Sequence, residues 1–204
     1  MKLVLLRHAQ TEWNLQNRFN SVTDLEICEP YGALNATIPF LKRIRPAVVL
    51  SSPLRRCLMT AEIVRAQLAP DVPDLEVDSE LREIDFGVFE GERADEILRG
   101  SYAAEFVEWT NPKSNSIGAP EGETWEAVGE RVSRIVSRLE SIGSDVLVVT
   151  HGYLLRAILV RCLLGLGSQN LRRFSVDNSK LAYLTNDEGY WRLHLLNSSG
   201  GDEP

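Results

Sequence analysis

Lys2-Leu3-Val4-Leu5-Leu6-Arg7-His8-Ala9-Gln10-Thr11-Glu12-Trp13-Asn14 decides how the chain reads. Its apolar run has no polar alternation, which suits a strand covered on both faces of a parallel sheet. The run stops abruptly at Arg7 and His8. Such an ending is either a soluble way to close a strand or the first piece of a site. What the rest of the chain places at its other strand ends separates the two.

Residues 47–50 and 145–150 are two more short runs rich in Val, Leu and Ile. Each is followed by a polar loop and then a helical pattern. Pro53 can open a helix running to about Leu68, because a missing N–H costs little in a first turn. Thr124 reads as an N-cap with Glu126 in the first turn. Behind it, Trp125, Val128, Val132, Ile135, Val136, Leu139 and Ile142 form one apolar stripe. Another helix covers about 154–164 and ends at Gly165. Pro39 is expected to shorten or kink the helix around it. Residues 181–185 and 191–196 read as a hairpin around Asp187-Glu188-Gly189.

Strand–helix alternation predicts an α/β fold, a three-layer α/β/α sandwich with a mostly parallel central sheet. Sites in such folds lie beyond the carboxyl ends of the strands. Arg7 and His8 follow the first strand, Arg55 and Arg56 the second, and His151 and Gly152 the run at 145–150. Separate strand ends therefore deliver Arg, His, Arg and His to one edge.

Composition bounds the setting. A chain of 204 residues supports one core, so a single domain over 1–197 is expected. A small cap insert is expected around 90–121, and a disordered tail over 198–204. The net charge is −7 and no Lys/Arg-rich run stands out, which argues against nucleic acid as a partner. No stretch suits a membrane span or a secretory signal, so no membrane association and a cytoplasmic location are expected. Cys28, Cys57 and Cys162 are odd in number and lack CxxC spacing, which points to reduced thiols in packing roles rather than a disulfide or zinc site. A possible homodimer is suggested only by the commonness of symmetric dimers.

Two histidines and two arginines without a metal-like carboxylate cluster suit a phosphoryl oxyanion. Arginine matches phosphate bidentately. Asn14 can add an amide donor from the next loop, and backbone N–H groups can help. The small residues after the histidines, Ala9 and Gly152, would let a ligand approach the backbone. A neutral imidazole can attack phosphorus and form a phosphohistidine, with positioning and charge stabilisation as the main requirements. The leaving group then needs a proton. The stretch Leu81-Arg82-Glu83-Ile84-Asp85-Phe86-Gly87-Val88-Phe89-Glu90-Gly91 offers Glu83, whose mixed surroundings suit a partly buried acid, with Asp85 and Glu90 as rivals. No metal and no cofactor enters this scheme.

Taken together, the motifs resemble those of the histidine phosphatase superfamily, in its phosphoglycerate mutase-like branch. Arg7-His8-Ala9-Gln10-Thr11-Glu12-Trp13-Asn14 is similar to RHGxTxWN. Ser51-Ser52-Pro53-Leu54-Arg55-Arg56-Cys57 is similar to SSxLxRA, and Leu81–Gly87 to LxExxxG. Pro120-Glu121-Gly122-Glu123-Thr124 resembles PGGES, Val148-Val149-Thr150-His151-Gly152 matches VVSHG, and Asn178-Ser179 with the closing hairpin also fits. The resemblance spans about 2–197 in family order. It implies His8 as nucleophile, with Arg7, Asn14, Arg56, His151 and Gly152 around the phosphate, and Glu83 as proton donor. It implies a phosphoglycerate mutase-like fold, no metal, and a small phosphorylated metabolite as substrate.

The chain departs from the pattern in places. Ala9 replaces a Gly and is expected to trim the pocket; where the family shows Gln-Gly and then Asp-x-Pro-Leu-Thr, this chain has Asn20-Ser21 and then Asp24-Leu25-Glu26-Ile27-Cys28, without that Gly, that Pro and that Thr. Mutases of this family carry a Tyr where Phe86 stands and an arginine pair in the insert, where 102–121 holds Lys113 and no Arg. Losing donors that retain a reorienting substrate favours hydrolysis. Mutase-type transfer and a non-catalytic phosphate-binding protein are the alternatives. In the insert, Tyr102, Phe106, Trp109 and Lys113 could touch substrate, although a helical Phe106/Trp109 pair more often belongs to a core. Residues 113–116 read as a mobile loop.

Overall fold

β1 (Lys2–Arg7), β2 (Val48–Ser51), β3 (Asp74–Val77), β4 (Val146–Thr150), β5 (Leu181–Asp187) and β6 (Tyr190–Ser198) form one sheet in the order β3-β2-β4-β1-β5-β6. The first four run parallel, and the β5–β6 hairpin joins antiparallel at the β1 side. This is a computed structural model describing residues 1–68, 74–111, 118–165 and 168–201.

The helices are α1 (Glu12–Leu15), α2 (Gly32–Asn35), α3 (Ile38–Ile44), α4 (Arg55–Gln67), α5 (Ala94–Ile97), α6 (Ala103–Thr110), α7 (Trp125–Ile142) and α8 (Gly152–Leu164). Alternating strand residues serve opposite faces. Leu3, Leu5, Val146 and Val148 pack with residues of α7 and α8, such as Leu139 and Leu155. Val4, Leu6, Leu147 and Val149 pack with residues of α3 and α4, such as Phe40 and Val64. Both faces of β1 and β4 are therefore buried, which is why neither strand alternates. The result is the three-layer sandwich.

Thr124 caps α7 by accepting from the Ala127 N–H at 3.2 Å, and Gly143 closes that helix with a left-handed φ of 67°. The stripe on α7 is buried as its period predicts, with Ile142 only partly covered. Three local expectations shift. α4 starts at Arg55, because Leu54 is extended and the Asp24 carboxylate accepts from the Arg55 N–H at 2.6 Å. Pro39 neither kinks nor truncates α3: it lies in the first turn, where its missing N–H has no partner to lose. The chain past Ser198 is packed as far as Gly200, with Gly201 exposed. There Arg43 donates to the Gly200 carbonyl at 2.9 Å and Lys180 to Ser199 Oγ at 2.6 Å. The last three residues lie outside the described ones, as do Lys113 and residues 114–116.

In the insert, α6 turns Phe106 and Trp109 inward, where Trp109 is 1% exposed. They pack edge-on against Phe19 and in a tilted or edge-on fashion against Phe89, and Trp109 stacks on Tyr153 at 5.5 Å between ring centroids. Tyr102 stays exposed.

Candidate active site

Strand register brings the two histidines together. Arg7 is the partner of Thr150 across β1 and β4, so the next residues, His8 and His151, leave adjacent strands side by side. Their ring centroids are 5.3 Å apart. The His8 Nδ1 lies 2.7 Å from the Ala9 carbonyl oxygen, which can only accept. Nδ1 therefore carries the proton and Nε2 keeps its lone pair. Burial, then Arg56 and Arg7, hold the His8 pKa well below that of an ordinary imidazole. His8 is thus a neutral, oriented base.

His151 has the opposite tautomer. Arg56 Nε can only donate, and it donates to His151 Nδ1 at 3.1 Å. The proton sits on Nε2, which donates to Ser52 Oγ at 2.8 Å. Burial, Arg56 and the neighbouring charges also push the His151 pKa well down.

A cavity of about 310 Å³ opens in front of His8, and Arg7, Asn14, Glu83 and Gly152 line it with His8. Arg7 is fixed by donation from Nη1 to the Val176 carbonyl at 2.9 Å, while its buried Nε has no partner. Gly152 makes room for it: a Cβ there would stand 3.2 Å from Arg7 Cζ and Nε. The small residue after His151 thus serves the guanidinium. Asn14 Oδ1 accepts from the Thr11 N–H, Thr11 Oγ1 and Asn178 Nδ2 at 3.0–3.1 Å, which leaves its amide nitrogen as the remaining polar group.

Glu83 is held at the start of α8. Its Oε1 accepts from the Ile84 and Leu154 N–H groups and its Oε2 from that of Tyr153, all at 2.9–3.1 Å. Arg131 steadies the preceding chain by donating to the Glu80 and Arg82 carbonyls and pairing with Glu123. Among the described residues Glu83 is the one carboxylate lining the cavity. Asp85 accepts from the Gly87 N–H instead, and Glu90 is used up by the Ser21 N–H, Ser21 Oγ and the Thr23 N–H at 2.6–2.9 Å.

Arg56 and His151 lie behind this cavity and do not line it. Arg56 is fully buried; besides His151 it binds the Thr23 carbonyl at 2.8 Å and the Ser21 carbonyl at 2.6 Å. The unusual loop after Asn14 is therefore clamped between Glu90 on its N–H groups and Arg56 on its carbonyls. Arg55, the other arginine of that pair, is exposed and pairs with Glu26. Ala9 packs in the core with Ile27 and Thr60 and does not line the cavity, so its methyl does not trim the pocket. Among the described residues no group of three His, Cys, Asp or Glu side chains is placed to hold a metal.

The model of the histidine phosphatase superfamily (branch 1) matches residues 3–199. The chain belongs to that superfamily. It is 31% identical to phosphoserine phosphatase 1 of Hydrogenobacter thermophilus, over 92% of this chain and 88% of that protein. It is also 31% identical to a 2,3-bisphosphoglycerate-dependent phosphoglycerate mutase of Cytophaga hutchinsonii, over 78% of this chain and 75% of the other. The crystal structure of an alpha-ribazole phosphatase from Shigella flexneri superposes with a TM-score of 0.83 at 24% identity over the full length of both chains, which establishes the shared fold.

Against that family background the cavity holds residues that the sequence reading passed over. Arg18, Tyr153 and Arg156 line it, beside Asn178 of the motif named above. Arg156 stands four residues after Gly152, one helical turn along the same face, and that spacing was a usable signal. Arg18 stands four residues after Asn14 but beyond the end of α1, where no helical period applies.

Proposed function

We propose that this histidine phosphatase hydrolyses a small phosphomonoester through a phosphohistidine on His8, without a metal. The observation that carries the reading is His8 itself, neutral, with Nδ1 tied to the Ala9 carbonyl, in one cavity with Arg7 and Glu83. In the first step His8 Nε2 attacks phosphorus and the P–O ester bond breaks. Glu83 gives its proton to the leaving oxygen. In the second step water attacks phosphorus, the P–N bond breaks, and the water's proton goes to Glu83. Arg7 and the Asn14 amide balance the charge on the phosphoryl oxygens. Arg56 and His151 act from behind, Arg56 by holding His151 and the loop over 21–23. Release of phosphate rather than transfer fits the segment 102–121, which holds no arginine, with Arg93 and Arg99 lying before it and not adjacent to each other.

We read residues 1–197 as one catalytic unit with the segment around 90–121 as its cap, working in the cytoplasm on a small metabolite rather than on nucleic acid. No helix among the described residues is long and apolar enough to cross a membrane.

Hydrolysis of p-nitrophenyl phosphate, with and without EDTA, tests the reading. The parent should turn over equally in both, and His8→Ala should lose at least about a thousandfold in kcat while still binding phosphate weakly. Full activity in His8→Ala, or loss of the parent's activity in EDTA, would sink it. A named phosphoglycerate pair assayed for isomerisation separates transfer from hydrolysis.

A further inference from the structure

We propose that Arg172 is a positioning residue that sets one wall of the substrate cavity through Trp109 and Tyr153. The inference rests on the hydrolase reading above and goes beyond it, because Arg172 does not line the cavity.

Arg172 comes from the short helical turn Ser168–Arg173, between α8 and β5. Its guanidinium carbon lies 4.8 Å from the Trp109 ring centroid and 5.4 Å from that of Trp125. Trp109 belongs to α6 of the insert, and Trp125 is the first residue of α7. One cation therefore ties three separate segments together across two indole rings. It has no carboxylate partner among the described residues, and its Nη2 is buried without a hydrogen bond. Burial pulls its pKa below the ordinary arginine value. A partly buried charge with an unpartnered donor is unfavourable, and an apolar side chain of like volume would be at least as stable there. Stability alone therefore does not account for an arginine at this place.

The next contacts give it a role. Trp109 stacks on Tyr153 with 15° between the ring planes and 5.5 Å between centroids. The Arg156 guanidinium lies 4.2 Å over the same Tyr153 ring. Tyr153 and Arg156 both line the cavity, where Phe19 and Phe86 continue the aromatic wall. A line of ring and cation contacts thus runs from Trp125 and Arg172, through Trp109, to Tyr153 and Arg156. The phosphoryl end of the cavity is anchored elsewhere. Arg7 is held by the Val176 carbonyl at 2.9 Å and His8 by the Ala9 carbonyl at 2.7 Å. Removing the Arg172 cation frees Trp109 on one side, and Tyr153 loses a fixed neighbour. The wall that meets the organic part of an ester then loosens, while the groups that hold phosphate stay in place.

The test separates those two ends. Arg172→Met keeps the length of the side chain and removes its charge. It should lower kcat/KM for p-nitrophenyl phosphate by about tenfold, the scale of one desolvated cation–π contact. The inhibition constant of inorganic phosphate, which has no organic part, should move by less than about twofold. Arg172→Gln should behave like Arg172→Met, and Arg172→Lys, which restores a cation, should recover most of the loss. In a Tyr153→Leu background Arg172→Met should have almost no further effect on kcat/KM, because the route it acts through is gone. Thermal unfolding confirms that each variant is folded. A role in stability alone would lower the melting temperature and leave kcat/KM of the folded variant unchanged, and that result would overturn the proposal. So would equal losses for the ester and for inorganic phosphate, or a full tenfold effect in the Tyr153→Leu background. Calorimetric binding of both compounds to His8→Ala, with and without Arg172→Met, reads the same contrast without turnover. An inactive parent whose binding contrast still follows Arg172 would refute the hydrolase reading and leave the positioning role standing. Binding that Arg172→Met leaves unmoved would refute the positioning role.

Discussion

Glu83 shows how far single residues could be read. The stretch 81–91 offers three carboxylates, and chemistry alone does not choose among them. In the fold, Asp85 is spent on a turn and Glu90 on the loop over 21–23, while Glu83 faces the cavity. Hydrogen-bond partners from distant segments made that choice, and a local stretch cannot display them. The same holds for Arg56. Its place after β2 was legible, but its bonds to the Ser21 and Thr23 carbonyls depend on a loop of irregular sequence. If Glu83 is the proton donor, Glu83→Gln should lower kcat/KM, which reports only the steps through loss of the leaving group, by about a hundredfold or more for an alkyl phosphate, the scale of general-acid catalysis. For p-nitrophenyl phosphate, whose leaving group needs little help, the loss should stay below about tenfold. Steady-state kinetics on both esters checks this, and equal losses would assign the acid elsewhere.

Elements were read well where burial sets the pattern and poorly where it does not. β1, β2 and β4 were found from apolar runs, and α7 from its stripe and its Thr124 cap. β3 was missed: Asp74-Leu75-Glu76-Val77 is an edge strand, mostly exposed, with no run to mark it. The loop between α1 and α2 is the element whose departure from the family pattern matters most. Glu90 and Arg56 grip it from opposite sides, so its backbone bonds take the place of the missing Gly and Pro. Glu90→Ala removes three hydrogen bonds to a carboxylate and should cost about 2 kcal/mol or more of stability. It should also lower activity, because Arg56 would lose the ordered carbonyls that hold it beside His151. Urea unfolding together with p-nitrophenyl phosphate kinetics reads both effects. A variant with parent-like stability would show that the clamp does not order the loop.

For the whole molecule, the sandwich gathers charged and titratable groups at one sheet edge and buries two of them, His8 and His151, as neutral imidazoles. That burial has a consequence for folding. Both histidines have depressed pKa values in the folded state, so the unfolded chain binds more protons below about pH 6.5. Stability from this source is complete above that pH and is lost as pH falls toward the depressed folded values. The pair should cost about 2 kcal/mol between pH 6.5 and 5.5, and His8→Ala should show about half that loss. Chemical denaturation at the two pH values measures it. An unchanged pH slope in His8→Ala would mean that His8 is not buried neutral. Much of this architecture was visible in the ordered motifs along the chain. The positive lining of the cavity was not, because Arg18 and Arg156 lie far apart in sequence and meet only when α8 docks beside the loop after β1.

The most direct measurement traps the phosphoenzyme. The parent is mixed with p-nitrophenyl phosphate, quenched in base and digested, and the peptide carrying His8 is examined by mass spectrometry. A phosphoryl adduct on His8 that survives base, is lost in acid and is absent from His8→Ala is the predicted result. Turnover by the parent with no adduct on His8 under rapid quenching, or an adduct on a different residue, would contradict the account.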